Sequence, residues 1–132
     1  MPIDNEVFEG SLEGIPWEEQ ELFIYCSFRQ IEGAGICIEA AFIDCTFERC
    51  DFYLSMFNGA TLVGVTFKNC AFHGGSIVDC RLVECVFDNC QFGNDNLGGE
   101  LRLDGTRWYG CSQRGCEGLS HELVPLQTAE EP

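Results

Sequence analysis

The stretch VDCRLVECVFDNCQF, residues 78–92, places a cysteine at every fifth position, Cys80, Cys85 and Cys90. The same step runs through the residues around it. From Phe42 the fifth residues are Phe42, Phe47, Phe52, Phe57, Leu62, Phe67, Phe72, Ile77, Leu82, Phe87, Phe92 and Leu97, all large and apolar. Two positions before each stands Ala40, Cys45, Cys50, Ser55, Ala60, Val65, Cys70, Gly75, Cys80, Cys85, Cys90 or Asp95. All of these are small except Val65, and Asp95 alone is charged. Helices repeat every 3.6 residues and strands every 2, so neither alone accounts for such a step. Two inward residues per unit, with the others outward, describe a short strand and a turn repeated many times.

Units such as CTFER, CDFYL, ATLVG, CAFHG, CRLVE, CVFDN and CQFGN resemble those of the pentapeptide-repeat family: a small residue, a central Leu or Phe, and variable places around them. The resemblance covers roughly residues 21–118, and the phase holds from 40 to 99. It implies an all-β fold, a right-handed, four-sided parallel β-helix with four units per coil, hence about five coils here. Residues twenty apart then stack. One column is expected to hold Cys50, Cys70, Cys90 and Cys111, a second Cys45, Val65, Cys85 and Thr106, a third Ala40, Ala60, Cys80 and Leu101.

Both ends slip. After Leu97 the pattern returns one residue late, as Leu101/Leu103, Thr106/Trp108, Cys111/Gln113 and Cys116/Gly118, which predicts an outward bulge near LGGELRL. Before Ala40, the pairs Cys26/Phe28, Ile31/Gly33 and Ile36/Ile38 fit a phase one residue away; keeping the main phase instead turns Cys37 inward. Residues 1–20, with Phe8, Leu12, Ile15 and Trp17 among glutamates, are expected to be an N-terminal cap on the first coil. Residues 119–132 are expected to be a C-terminal cap or a flexible tail. Prolines occur at 2, 16, 125 and 132 only, so nothing between interrupts extended structure.

The chain of 132 residues carries a formal charge of −15. That excludes direct binding to nucleic acid or to an anionic membrane as its main business, and allows a protein partner with a basic surface. MPIDNEVFEG has neither the basic nor the apolar region of a signal peptide, which predicts a cytoplasmic protein with reduced thiols. Zinc sites need converging ligands, and here the cysteines lie on a lattice without Cys-x-x-Cys, beside only His73 and His121. No metal and no cofactor is therefore expected. Parallel side chains in a reducing compartment argue against disulfides in the Cys50 column.

Function is expected on the outside. Ile43, Val63, Val83 and Asp104 follow the central residues of one side, an apolar stripe rimmed by Asp44 and Glu84 around Gly64. The next side reads Glu48, Lys68, Asp88, a self-stabilising ladder of alternating charge, with Asn69 and Asn89 beside it. Tyr53, Leu54 and Met56 form a second candidate contact site, near His73. No nucleophile with a base and orienting group is recognisable, so the chain is not expected to be an enzyme. The expectation is a protein-binding module of inhibitor, immunity or adaptor type, with a homodimer allowed. The family resemblance implies an alternative: a DNA mimic that binds a type II topoisomerase such as gyrase and modulates or protects it. Against it, residues 1–32 hold −7 of the charge and residues 33–132 only −8, so no long regular acidic row is evident.

Overall fold

The computed structural model describes residues 2–10, 15, 21–32, 35–118 and 127–128. Strands of two or three residues stack in parallel into four walls around one core. The first wall contains Ile3–Asp4, Leu22–Ile24, Ala41–Ile43, Thr61–Val63, Arg81–Val83 and Arg107–Tyr109. The second contains Val7–Glu9, Ser27–Arg29, Thr46–Glu48, Thr66–Lys68, Val86–Asp88, Ser112–Arg114 and Gln127–Thr128. Asp51–Tyr53, Ala71–His73 and Gln91–Gly93 make the third wall, and Cys37–Ile38, Met56–Asn58 and Ser76–Val78 the fourth. Single bridges from Glu32, Glu117 and Arg102 extend these last two walls. The fold is all-β, a parallel β-solenoid. Its coils number about four, not five, with a partial coil at each end.

The core explains the period. The residues at the two inward positions of each unit are buried, among them Phe42, Phe47, Phe52, Phe57, Cys45 and Cys50. Phenylalanines one coil apart stack nearly parallel: Phe28, Phe47, Phe67 and Phe87 follow one another at 4.5, 5.0 and 4.9 Å between ring centroids. Across the core, rings of neighbouring walls meet edge to face, as Phe42 and Phe47 do at 5.3 Å and 66°. Strand spacing in a sheet, ~4.8 Å, is thus also the distance at which these rings touch.

Each corner turns through one residue in the left-handed region. Asp44, Arg49, Leu54, Asn69, Asp79, Glu84 and Asn89 have φ of 52–56°, and glycines serve at many other corners. The corner N–H then donates to a carbonyl one coil on, as Asp44 does to Val63 at 2.8 Å and Asn69 to Asp88 at 2.9 Å. Gly75 is the one small-slot residue where only glycine fits, since a Cβ there would lie 2.1 Å from the Ser55 carbonyl oxygen.

The ends differ from expectation in instructive ways. Before Ala40 the shifted phase is adopted: Cys26, Phe28, Ile31 and Ile38 are buried, and Cys37 is exposed. Phe23 accordingly pairs with Phe42, nineteen residues on, and the coil is one residue short between Ile38 and Ala40. Within the expected cap, Ile3–Asp4 and Val7–Glu9 are rungs in register with Leu22–Ile24 and Ser27–Arg29. Phe8 stacks on Phe28 at 5.1 Å, and Ile15 is buried. Leu12, Trp17 and Gly33 lie outside the described residues. So do 119–132, apart from Gln127–Thr128, which pair with Ser112–Gln113.

The later slip is larger than a bulge. Arg81 pairs with Arg107 and Phe87 with Gln113, twenty-six residues on, so that coil is six residues long of the usual repeat. Residues 94–100 leave the wall as a loop. Leu97, expected inside, is 97% exposed, and Leu103 stands over Ile77 in its place. Columns beyond the loop therefore shift by one wall. Cys111 stacks over Cys85 rather than Cys90, Cys116 over Cys90, and Thr106 over Cys80. Asp104 leaves the apolar stripe, and Tyr109 takes its position beside Val83.

Phe67 and Leu97, both assigned to the core by the period, give a direct test. Phe67→Ala should lower unfolding free energy by about 3–5 kcal/mol, because it empties the middle of the ring stack. Leu97→Ala should change it by less than about 0.5 kcal/mol. Denaturant titrations followed by circular dichroism would measure both, and a large loss for Leu97→Ala would return that residue to the core.

Candidate functional site

The cysteines are part of the frame. Among the described residues no group of three His, Cys, Asp or Glu side chains is placed to hold a metal ion. All ten thiols are free, eight of them buried. The thiols of Cys45, Cys50, Cys70, Cys80 and Cys90 donate to the carbonyls of Phe23, Phe28, Phe47, Phe57 and Phe67, each at 3.3 Å. A cysteine at the small slot thus fills the space alanine would fill and adds a weak bond to the coil before it. Burial pushes the Cys45 and Cys80 thiols up to about 11 from 9.0.

The void among Phe57, Leu62, Phe67 and Phe72 measures about 10 Å³, less than a substrate needs. An open depression of about 580 Å³ is lined by Glu100, Leu101, Arg102, Leu103 and Asp104, a set without a nucleophile. His73 stacks between Tyr53 and Gly93, its imidazole over the space that glycine leaves.

Candidate contacts therefore lie on the outer faces, and the predicted residues fall into two separate groups. Ile43, Val63 and Val83 are in register on the first wall, with Asp44 and Glu84 at its corner. The Asp44 carboxylate leans over Gly64, where a Cβ would lie 2.4 Å from it. The structure lengthens this column to Ile24, Ile43, Val63, Val83 and Tyr109.

The second group is Tyr53 on the third wall, Leu54 at the corner and Met56 on the fourth. Leu54 and Met56 are 42% and 44% exposed. The 94–100 loop folds back beside them. Its Asn96 N–H donates to the Tyr53 hydroxyl at 3.0 Å. Asp95 accepts from the N–H groups of Leu97 and Gly99, both at 2.8 Å, which holds the loop in a turn. Leu97 stands at that turn, an apolar tip the period had assigned to the core.

Charge is distributed by wall. The second wall stacks Glu9, Arg29, Glu48, Lys68, Asp88 and Arg114 in register, three acids alternating with three bases. Arg29 meets Glu48 at 3.7 Å, and Asn89 donates to Asn69 at 2.6 Å beside it. Among the described residues the charges of that wall cancel, so the described excess of negative charge sits on the other walls. On the third and fourth walls, their corners and the 94–100 loop it includes Glu32, Glu39, Asp51, Asp79, Asp95 and Asp104, of which Asp95 lies beside Leu54. Arg102 is the basic side chain described on the third and fourth walls, and it is paired with Asp104.

A filled, four-walled solenoid whose variety is all external defines a scaffold class. The family description "Pentapeptide repeats" matches residues 36–74 of this chain, in eight copies. No curated protein matches the sequence. Solved structures similar to it include a trypsin-treated variant of QnrB1, a plasmid-mediated fluoroquinolone resistance protein. It is 15% identical, with a TM-score of 0.37, covering 96% of this chain and 89% of that chain. Full-length QnrB1 is 12% identical, with a TM-score of 0.27, covering 96% and 92%.

Thiol chemistry tests the frame. A thiol reagent should modify Cys37 quickly and Cys116 slowly, and the eight buried cysteines only after denaturation. Cys45 and Cys80 stay protonated in the fold to about pH 11, whereas unfolded thiols ionise near 9.0. Their contribution is whole below pH 9.0 and is lost as pH rises towards about 11. Unfolding midpoints should fall across that window, and a flat profile would contradict the burial.

Proposed function

We propose that this is a non-enzymatic protein-binding module that receives a basic protein surface on its third and fourth walls. The observation that carries this is Leu54. It is an exposed apolar side chain at φ 55°, in a corner slot where Asn, Asp and Gly are cheaper. Nothing in the core requires it. A residue that costs free energy in its backbone and in its exposure is explained by contact with something outside. Met56 and Leu97 provide further apolar contact nearby, and the acidic side chains around them supply the rim that steers a basic partner. The free thiols suit work in the reducing cytoplasm.

The same charge asymmetry supports a second reading, a DNA mimic that occupies the nucleic-acid groove of a type II topoisomerase. Along the fourth wall, however, the column that begins at Glu39 continues with Asn58 and Val78 before Asp104, so its charges do not form a row. The first reading is therefore preferred. Unchanged supercoiling by gyrase at micromolar protein would end the second.

Leu54→Asp and Met56→Asp, separately and together, should leave the fold intact. Each should weaken capture of the native partner by about tenfold or more, as loss of an interface anchor does. Quantitative affinity capture, with a surface substitution on the neutral second wall as control, would check this. Equal recovery by wild type and both variants would remove the third and fourth walls from the contact.

A further inference from the structure

The first wall carries a surface that the acidic site does not use. Ile24, Ile43, Val63, Val83 and Tyr109 form one outward ridge over successive coils. Tyr25 broadens it at the corner, at φ 54° and 59% exposed. Strand propensity accounts for the β-branched members. It does not account for a tyrosine in a left-handed corner, which meets the same objection as Leu54.

The ridge has unlike edges. Where the strands enter the wall, the outward column reads Ala41, Thr61, Arg81 and Arg107. Where they leave it, the corner column holds Asp44, Gly64 and Glu84. Between ridge and arginine edge runs a trough, because Phe42, Leu62 and Leu82 point into the core and leave only backbone outside. Among the described residues neither Arg81 nor Glu84 has an ion-pair partner within the chain.

We propose that this wall is a homodimer interface, in which two copies pack face to face with their rods parallel about a two-fold axis along the rod. That operation seats the ridge of each copy in the trough of the other. It also sets Arg81 of one copy against Glu84 of the partner subunit at the same coil level, twice per dimer. The antiparallel arrangement would instead lay the Asp44 and Glu84 edges against one another, with like charges opposed. Charge therefore selects the orientation, and the ridge supplies the contact. Six rungs at ~4.8 Å and a width of about 13 Å give about 375 Å² per copy, roughly 750 Å² in total, a size that supports only weak, transient association. The dimer is reversible, forming at micromolar to millimolar concentration.

Sedimentation equilibrium of the full chain, from low micromolar to near-millimolar concentration, tests this. Wild type should show a monomer–dimer equilibrium, and Val63→Asp should be monomeric. Because Val63 is partly buried, exposed positions provide the decisive arm. Arg81→Glu and Glu84→Arg should each raise the dissociation constant about tenfold, and the double variant should restore it. A wild type that stays monomeric throughout overturns the proposal, as does a double variant no tighter than either single one. Neither result bears on the third and fourth walls, which partner capture tests separately.

Discussion

Everything in this molecule follows from a core of constant cross-section. Each wall contributes one central and one small inward residue per coil, and the stacked rings repeat at 4.5–5.1 Å. That distance is set by the backbone ladder, not by the side chains. A coil can therefore gain or lose residues only at its corners or outside. The nineteen-residue coil before Phe42 is shortened at a corner, and the extra residues between Gly93 and Leu101 are expelled as a loop. The cysteines obey the same constraint. Their slot accepts a side chain of alanine to valine size, and the thiol's bond to a carbonyl is a small gain within that limit.

The repeat made most of this fold legible from residues alone. Phase assigned the inward residues from Ala40 to Phe92, the outer stripe of Ile43, Val63 and Val83, and the charge and amide ladders. It failed after Phe92 for an arithmetical reason. A slip of one residue and a slip of six leave the same phase in a period of five, yet they differ by one whole wall. Counting therefore kept Leu101, Leu103, Thr106, Trp108, Cys111, Gln113 and Cys116 at inward positions beyond the loop while misplacing their columns. Cys111 went to the wrong neighbour, Asp104 displaced Tyr109 from the stripe, and Gly118 is exposed. The signal that distinguishes the two was present. Asp95 is the single charged residue at a small slot, and Asn94, Asn96, Gly98 and Gly99 surround it. A carboxylate aimed into a phenylalanine core is so costly that the unit containing it must leave. Leu97, in phase by coincidence, left with it.

The surface is legible to a different degree because it is not constrained by packing. Column membership follows from the fold, but column meaning follows from what the neighbours above and below are. Glu9, Arg29 and Arg114 join the Glu48–Lys68–Asp88 ladder only once the end registers are known. Completing it changes the electrostatic picture of the chain. With the second wall internally neutral, a net charge of −15 cannot be spread evenly, and the third and fourth walls carry a large share of the described excess. A sequence-wide charge sum hides this, since it counts paired and unpaired groups alike.

Corner residues then separate structural from functional choices. A left-handed corner is occupied at least cost by Gly, Asn or Asp, and many corners here use them. Gln30, Arg49 and Glu84 depart from that set but keep polar atoms in water, so their departure costs only backbone energy. Tyr25 and Leu54 depart from it and also expose apolar surface. Two such residues on one short solenoid, each beside its own apolar surface and on different walls, are hard to attribute to folding. Folding would be served better by asparagine at both places. The two exceptions therefore mark two faces, one rimmed by acids and one with edges of opposite charge.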